Sequence, residues 1–194
     1  GAGNASTTQT LSVIVDNLPP VVTVRAPAKT NLTPVLLDGS VDDSQTVVTI
    51  NGVPAVRTRR DFSLSVPLSL GANLFHLVAT SPNGYVTERD DGVTLGTIPT
   101  FQAVEPTDAT KVSAGTSVAI NAQAVDSEQD PIEYQVRLDG ASLNPWSPSA
   151  SAVWQPALSD AGPHMVTFEA RDGYGGSRTQ EAEVYVIRPP VEPP

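Results

Sequence analysis

Cysteine is absent from all 194 residues. That excludes disulfides, a cysteine–zinc site and a thiol nucleophile, and it leaves the redox compartment open. Lysine is scarce: Lys29 and Lys111 are the only two, and the net charge is −10. Phosphate backbones and anionic bilayers attract basic patches. The one basic cluster here, Arg57, Arg59 and Arg60, is short and set among acids. Nucleic acid is therefore not an expected partner. Membrane insertion is not expected either, since no apolar run approaches the roughly 20 residues of a spanning helix. Aromatic residues make up only 5% of the chain. No stretch keeps apolar residues at i, i+3, i+4 and i+7 beyond two turns, so long amphipathic helices are excluded.

What remains is rich in punctuation. Eighteen Pro and 14 Gly, with many Val and Thr, describe strands joined by tight turns. A Gly-bearing turn, a strand-like stretch and a proline break recur three times. The first pass is Gly3-Asn4, residues 8–17, then Leu18-Pro19-Pro20. The second is Asn83-Gly84, residues 85–95, then Ile98-Pro99. The third is Gly175-Gly176, residues 178–187, then Pro189-Pro190. The breaks lie about 80 and about 90 residues apart, the size of one small β-sandwich. The predicted fold is all-β: two tandem sandwiches joined by a short proline-containing linker. The expected domains are 18–97 and 98–188, followed by a stiff, proline-rich linker at 189–194. Residues 1–17 are expected to be the final strand of a preceding repeat or a donated strand.

Within the first domain, strands are expected at 21–25, 35–37, 45–50, 53–58, 62–68, 74–80 and 85–95, with Asp38-Gly39 closing the second. Asn51-Gly52 between two β-rich runs is the strongest hairpin signal, because both central positions of a type I′ turn need positive φ. In the second domain, strands are expected at 100–104, 117–125, 132–138, 153–154, 164–170 and 178–187. Over 117–125, Val118, Ile120, Ala122 and Ala124 fall on one face. A Pro/Ser-rich crossover is expected over 144–151.

Val48-Thr49-Ile50-Asn51-Gly52-Val53-Pro54-Ala55, Asp61 to Leu68, Gly71-Ala72-Asn73-Leu74 and Val78-Ala79-Thr80 together resemble a bacterial immunoglobulin-like repeat, over residues 18–97. The likeness departs at Ser81-Pro82-Asn83-Gly84, where the family has Asp-x-x-Gly-Asn. Gly1-Ala2-Gly3-Asn4 looks like that turn from a preceding repeat. The second domain is similar to cadherin-like or PKD-like immunoglobulin-like domains. The similar residues are Ala124-Val125-Asp126, Asp130-Pro131-Ile132-Glu133-Tyr134, Trp154, Ala161-Gly162-Pro163-His164 and Glu169 to Gly176. The resemblance implies an extracellular or cell-surface, multidomain, bacterial setting. It sets architecture far better than task.

Asp126, Glu128, Asp130 and Asp172 are the candidate metal ligands, with calcium as the ion. Calcium takes six to eight oxygens from carboxylates and carbonyls on a flexible loop. Asp-x-Glu-x-Asp places three carboxylates at alternate positions, and the loop before a sandwich's last strand lies at the same end. The arrangement resembles the calcium placement of cadherin-like domains; Glu105 and Asp108, near the junction, would be within reach if the two domains meet there. The plain alternative is that these are solvated acids in Asp-Pro and Asp-Gly turns. Asp38, Asp42 and Asp43 form a weaker acidic candidate. Trp146 and Tyr174, with Trp154, are candidates for stacking a sugar ring; Trp154 is equally suited to the core and Trp146 to lidding an edge.

Catalysis is not expected. The two histidines, His76 and His164, lie in different domains, and neither has a Ser and Asp arrangement of the triad kind. His76 is expected to be a partly buried structural residue. The function expected is a non-catalytic structural or adhesive stalk segment of a bacterial surface or secreted protein, stiffened by calcium if the acidic loop binds it. The short junction at Ile98-Pro99-Thr100 is expected to limit bending and give an elongated particle. The partners are neighbouring repeats or other subunits, and surface glycan. Two alternatives follow from the residues: a fibre subunit assembled by strand donation from residues 1–17, and a carbohydrate-binding accessory module of a secreted glycosidase.

Overall fold

The computed structural model describes residues 17–189. The expected strand at 11–15 and the tail beyond Pro189 lie outside the described residues. The described chain is β-structure with no α-helix; one 3₁₀ turn spans Leu158–Asp160.

In chain order the first nine strands are β1 (Val22–Arg25), β2 (Lys29–Thr30), β3 (Val35–Val41), β4 (Val47–Ile50), β5 (Val53–Pro54), β6 (Val56–Thr58), β7 (Asp61–Val66), β8 (Gly71–Thr80) and β9 (Val86–Leu95). They form two sheets, β1-β3-β7-β6 and β2-β9-β8-β4-β5. Eight more follow: β10 (Thr100–Glu105), β11 (Thr110–Ser113), β12 (Val118–Val125), β13 (Glu133–Leu138), β14 (Ala141–Ser142), β15 (Ala152–Trp154), β16 (Gly162–Arg171) and β17 (Arg178–Ile187). These form β10-β12-β15 and β11-β17-β16-β13-β14.

Both sets share one plan. The opening strand pairs antiparallel in one sheet, β1 with β3 and β10 with β12. The chain then crosses to run parallel beside the last strand of the other sheet, β2 with β9 and β11 with β17. Two sheets, antiparallel but for that one parallel edge, define an immunoglobulin-like sandwich. The described chain holds two in tandem, with Pro99 of the linker fully buried.

Packing divides the described residues into two compact units. One comprises residues up to 26, 36–65 and 74–91. The other comprises 27–35, 66–73 and everything from 92 onward.

Alternation built most of these strands. On β3, Val35, Leu37, Gly39 and Val41 are buried while Leu36 is exposed. On β12, Val118, Ile120 and Ala124 are buried, with Ala122 on the same face. Asn51 and Gly52 have φ of 50° and 77° and join Ile50 to Val53 across the turn, as a type I′ hairpin requires.

Two expectations are revised, and β11 is a strand that none anticipated. β3 does not stop at Asp38-Gly39. Asp38 pairs with Arg25 across the ladder and in an ion pair of 2.9 Å. A side chain on Gly39 would sit 2.1 Å from the Thr23 carbonyl oxygen and 2.5 Å from the Phe62 ring. Glycine makes room there and turns nothing. The expected strand 53–58 is two strands, because the chain leaves one sheet after Pro54 and joins the other at Val56. β11 has no alternation that would have announced it.

The second sandwich is centred on Val118, Ile120, Val136, Val166, Phe168, Ala182 and Val184. A second cluster gathers Ala124, Tyr134, Ala150 and Ala170. The Tyr134 hydroxyl accepts the Ala124 N–H at 3.1 Å, which satisfies a buried polar group. The 144–151 crossover shields the flank of β13: Ser147 and Tyr134 exchange two backbone hydrogen bonds of 2.7 and 3.0 Å, so that stretch of edge is not left as a template for pairing.

Candidate functional site

The acidic loop after β12 is organised by its own first residue. Asp126 Oδ1 accepts the N–H groups of Glu128 at 2.9 Å and Asp130 at 3.1 Å. Gln129 takes the left-handed conformation, φ 63°. This turn gathers the carboxylates of Asp126, Glu128 and Asp130, with one oxygen of each within 4.8 Å of the others. Among the described residues it is the only such grouping of acids and histidines.

The chain itself supplies donors to this cluster. The Lys29 ammonium donates to Asp130 Oδ2, and the two side chains are only 17% and 14% exposed. Thr97 donates its N–H, at 3.0 Å, and its hydroxyl, at 2.8 Å, to Glu128 Oε2. Asp172, 7% exposed, accepts the Tyr174 N–H at 3.0 Å and the Asn31 amide at 2.5 Å. The Asn31 N–H donates to the Tyr174 carbonyl at 2.9 Å. Lys29 Nζ also lies 4.8 Å from the centre of the Tyr174 ring, a cation–π distance. All these residues belong to the second compact unit.

The charges respond. The Lys29 pKa is raised, first by its bond to Asp130 and further by the charges of Asp130, Glu128 and Asp126, with burial opposing. That of Glu128 is lowered, first by the Thr97 N–H and then by the Thr97 hydroxyl, with burial opposing and the Lys29 charge adding.

Of the residues named here, Asp126 Oδ2 and Asn31 Oδ1 are buried without a hydrogen-bond partner. Such atoms carry a desolvation cost and suit a hard cation, which seeks carboxylate and amide oxygens. The donor set therefore fits calcium in kind. Asp130 is already neutralised by Lys29.

Of the residues singled out in the sequence, Asp126, Glu128 and Asp130 come together, and Asp172 is tied to Asn31. Asp108 accepts the Glu183 N–H at 3.0 Å, and Glu105 is exposed at the end of β10. Asp38, Asp42 and Asp43 each have a donor of their own: Arg25, the Val21 N–H at 3.0 Å and the Gln45 N–H at 3.0 Å. Sequence reasoning missed Lys29, Asn31 and Thr97. The rarity of lysine was the one available signal for the first.

The aromatic candidates have separate partners. The Arg171 guanidinium lies 4.0 Å from the centre of the Trp146 ring and donates twice to Glu133 Oε2. These three side chains line an open recess with Gly173, Gly175, Gly176 and Ser177. Tyr174 has Lys29 beside it. Trp154 packs on the core and against His164, with ring centres 5.0 Å apart.

His164 is not disposed as a catalytic base. His164 bonds Asp139 through Nδ1 and the Asp160 carbonyl through Nε2, each at 2.6 Å. No ring nitrogen is left to take a proton from a hydroxyl. His76 is exposed, contrary to expectation, because it lies on the outward face of β8. There it pairs with Asp90 at 2.8 Å and Glu88 at 3.8 Å.

No protein-family model matches this chain, and no curated protein matches it in sequence. Three solved structures of similar architecture are distant in sequence. The fibronectin(III)-like modules of Clostridium thermocellum CbhA are 16% identical and align over 87% of this chain and 95% of theirs, with a TM-score of 0.48. Immunoglobulin domains 1–4 of Sidekick-1 are 16% identical, over 87% of this chain and 48% of that one, with a TM-score of 0.44. A three-immunoglobulin-domain fragment of titin is 14% identical, over 89% of this chain and 67% of that one, with a TM-score of 0.46. The fold assignment rests on the paired sheets themselves. No helix among the described residues is long and apolar enough to cross a membrane.

Proposed function

We propose that this chain is a non-catalytic structural or adhesive segment of a multidomain bacterial surface or secreted protein, with neighbouring domains or subunits as its partners. One observation carries this. The carboxylates of Glu128, Asp130 and Asp172 are engaged by the chain's own hydroxyl, lysine and amide donors, and Asp126 Oδ1 by backbone N–H groups. Their chemistry goes into holding segments in place and not into meeting a substrate. The test is single-molecule pulling from the two ends. Discrete unfolding events are expected, each releasing roughly 250–300 Å for a domain of 80–90 residues. Smooth extension without resisting events would overturn the proposal.

A second reading adds calcium. Asp126 Oδ2, buried and unpartnered, favours it. Asp126, Glu128 and Asp130 would hold the ion, which would supply charge neutralisation and cross-linking of the loop. Calcium that binds only the folded state raises the melting temperature by mass action. A melt that is identical in calcium and in chelator would count against a resident ion. A glycan reading would rest on Trp146 and Tyr174, and the Trp146→Ala variant, assayed on polysaccharide, examines it separately.

A further inference from the structure

We infer that Lys29 is a tethered cation: its ammonium does at the Asp126–Glu128–Asp130 cluster what a bound divalent ion would do, so the cluster is held together without metal. This goes beyond the spacer role and competes with resident calcium.

The need for a cation is electrostatic. Three carboxylates whose oxygens approach within 4.8 Å repel one another, and a nearby positive charge relieves that. In a chain with two lysines and a net charge of −10, one of the two is delivered to this point.

Its delivery is built into the fold. Lys29 sits on β2, whose register beside β9 sets Lys29 opposite Thr94, so a strand and not a loop positions the side chain. Gly96 gives its stem passage, since a Cβ there would lie 2.8 Å from Lys29 Cε and 2.7 Å from Asn31 Oδ1. The head group is largely sequestered and has the Tyr174 ring beside it.

Other donors serve the rest of the cluster. Thr97 holds Glu128, and the backbone N–H groups of Glu128 and Asp130 hold Asp126 Oδ1. Asp126 Oδ2 and Asn31 Oδ1 are left bare. Asp126 Oδ2 belongs to the cluster and is the oxygen that a hard cation would recruit if the ammonium were taken away. Unlike an ion, a lysine cannot dissociate, and its stabilisation does not depend on the calcium concentration outside.

The experiment pairs calcium titration calorimetry with thermal melts in calcium and in chelator, on the full chain and on Lys29→Met and Lys29→Arg. The unmodified chain and Lys29→Arg are expected to melt at the same temperature in either condition. Lys29→Met is expected to melt lower in chelator, to recover with calcium, and to bind calcium about ten-fold or more tightly than the unmodified chain, once the repelling charge is gone. A chelator-sensitive unmodified chain would overturn the inference in favour of resident calcium. So would Lys29→Met that melts normally and ignores calcium. If Lys29→Met does not fold, the double variant Lys29→Met/Asp130→Asn decides. Recovery of folding supports a role through charge, and continued failure overturns it. Pulling experiments report on the spacer role independently of any of these outcomes.

Discussion

His164 shows how a single side chain can be both packed and charged. Its two nitrogens face acceptors, Asp139 Oδ2 and the Asp160 carbonyl, an arrangement that favours the doubly protonated ring. Burial works to lower its pKa, but the bonds to Asp139 and Asp160 outweigh it, and the value is raised above the ordinary 6.5. For Asp139, burial works to raise the pKa, but the His164 and Met165 N–H bonds outweigh it, and the value falls below the ordinary 3.8. The signs follow by linkage. The histidine's contribution is full below its unfolded value and is lost as pH rises through its raised folded value. The carboxylate's contribution is full above its unfolded value and is lost as pH falls through its lowered folded value. The melting difference between the unmodified chain and His164→Gln should therefore be widest between the two ordinary values and close on the alkaline side. A difference that does not vary with pH would show that packing on Trp154 carries the effect.

At the scale of the element, strands with one buried face were legible from alternation, and Asn51-Gly52 identified its hairpin from turn chemistry alone. Where a strand ends was less legible. Asp38-Gly39 has the composition of a turn, yet β3 runs through it because Arg25 and Phe62 stand opposite. Substituting Gly39 with Ala should cost about 3 kcal/mol, the upper range for overpacking, because the nearest atom is a backbone oxygen that cannot swing aside. Urea denaturation measures this directly, and an unchanged midpoint would mean that β1 can move away. The crossing from β5 to β6 was illegible for a related reason. Both strands read as one β-rich run, and which sheet each joins depends on partners elsewhere in the chain.

At the scale of the whole molecule, the acidic half of the site could be read in advance and its donors could not. Asp126, Glu128 and Asp130 fall within five consecutive residues of one loop. Lys29 stands 101 positions from Asp130, and Asn31 stands 141 from Asp172. No spacing rule spans such intervals. Asn31→Ala tests how much the assembled polar cluster contributes. It leaves the buried Asp172 without its side-chain donor, and a hydrogen bond to a charged group is worth roughly 1.5–3 kcal/mol. A loss of that order in chemical denaturation is expected, and no loss would mean that water replaces the amide.

Composition and periodicity were enough to determine an all-β chain of two sandwiches, the placement of most strands and a cluster of three carboxylates, because alternation and turn chemistry act over a few residues. Tertiary structure alone decided that the cluster is met by a lysine, that the aromatic residues have separate cationic or imidazole partners, and that one glycine is a gap and not a turn. Each of these depends on segments far apart in sequence being brought within a few ångströms of one another, and pairwise electrostatics and steric exclusion act only at that range.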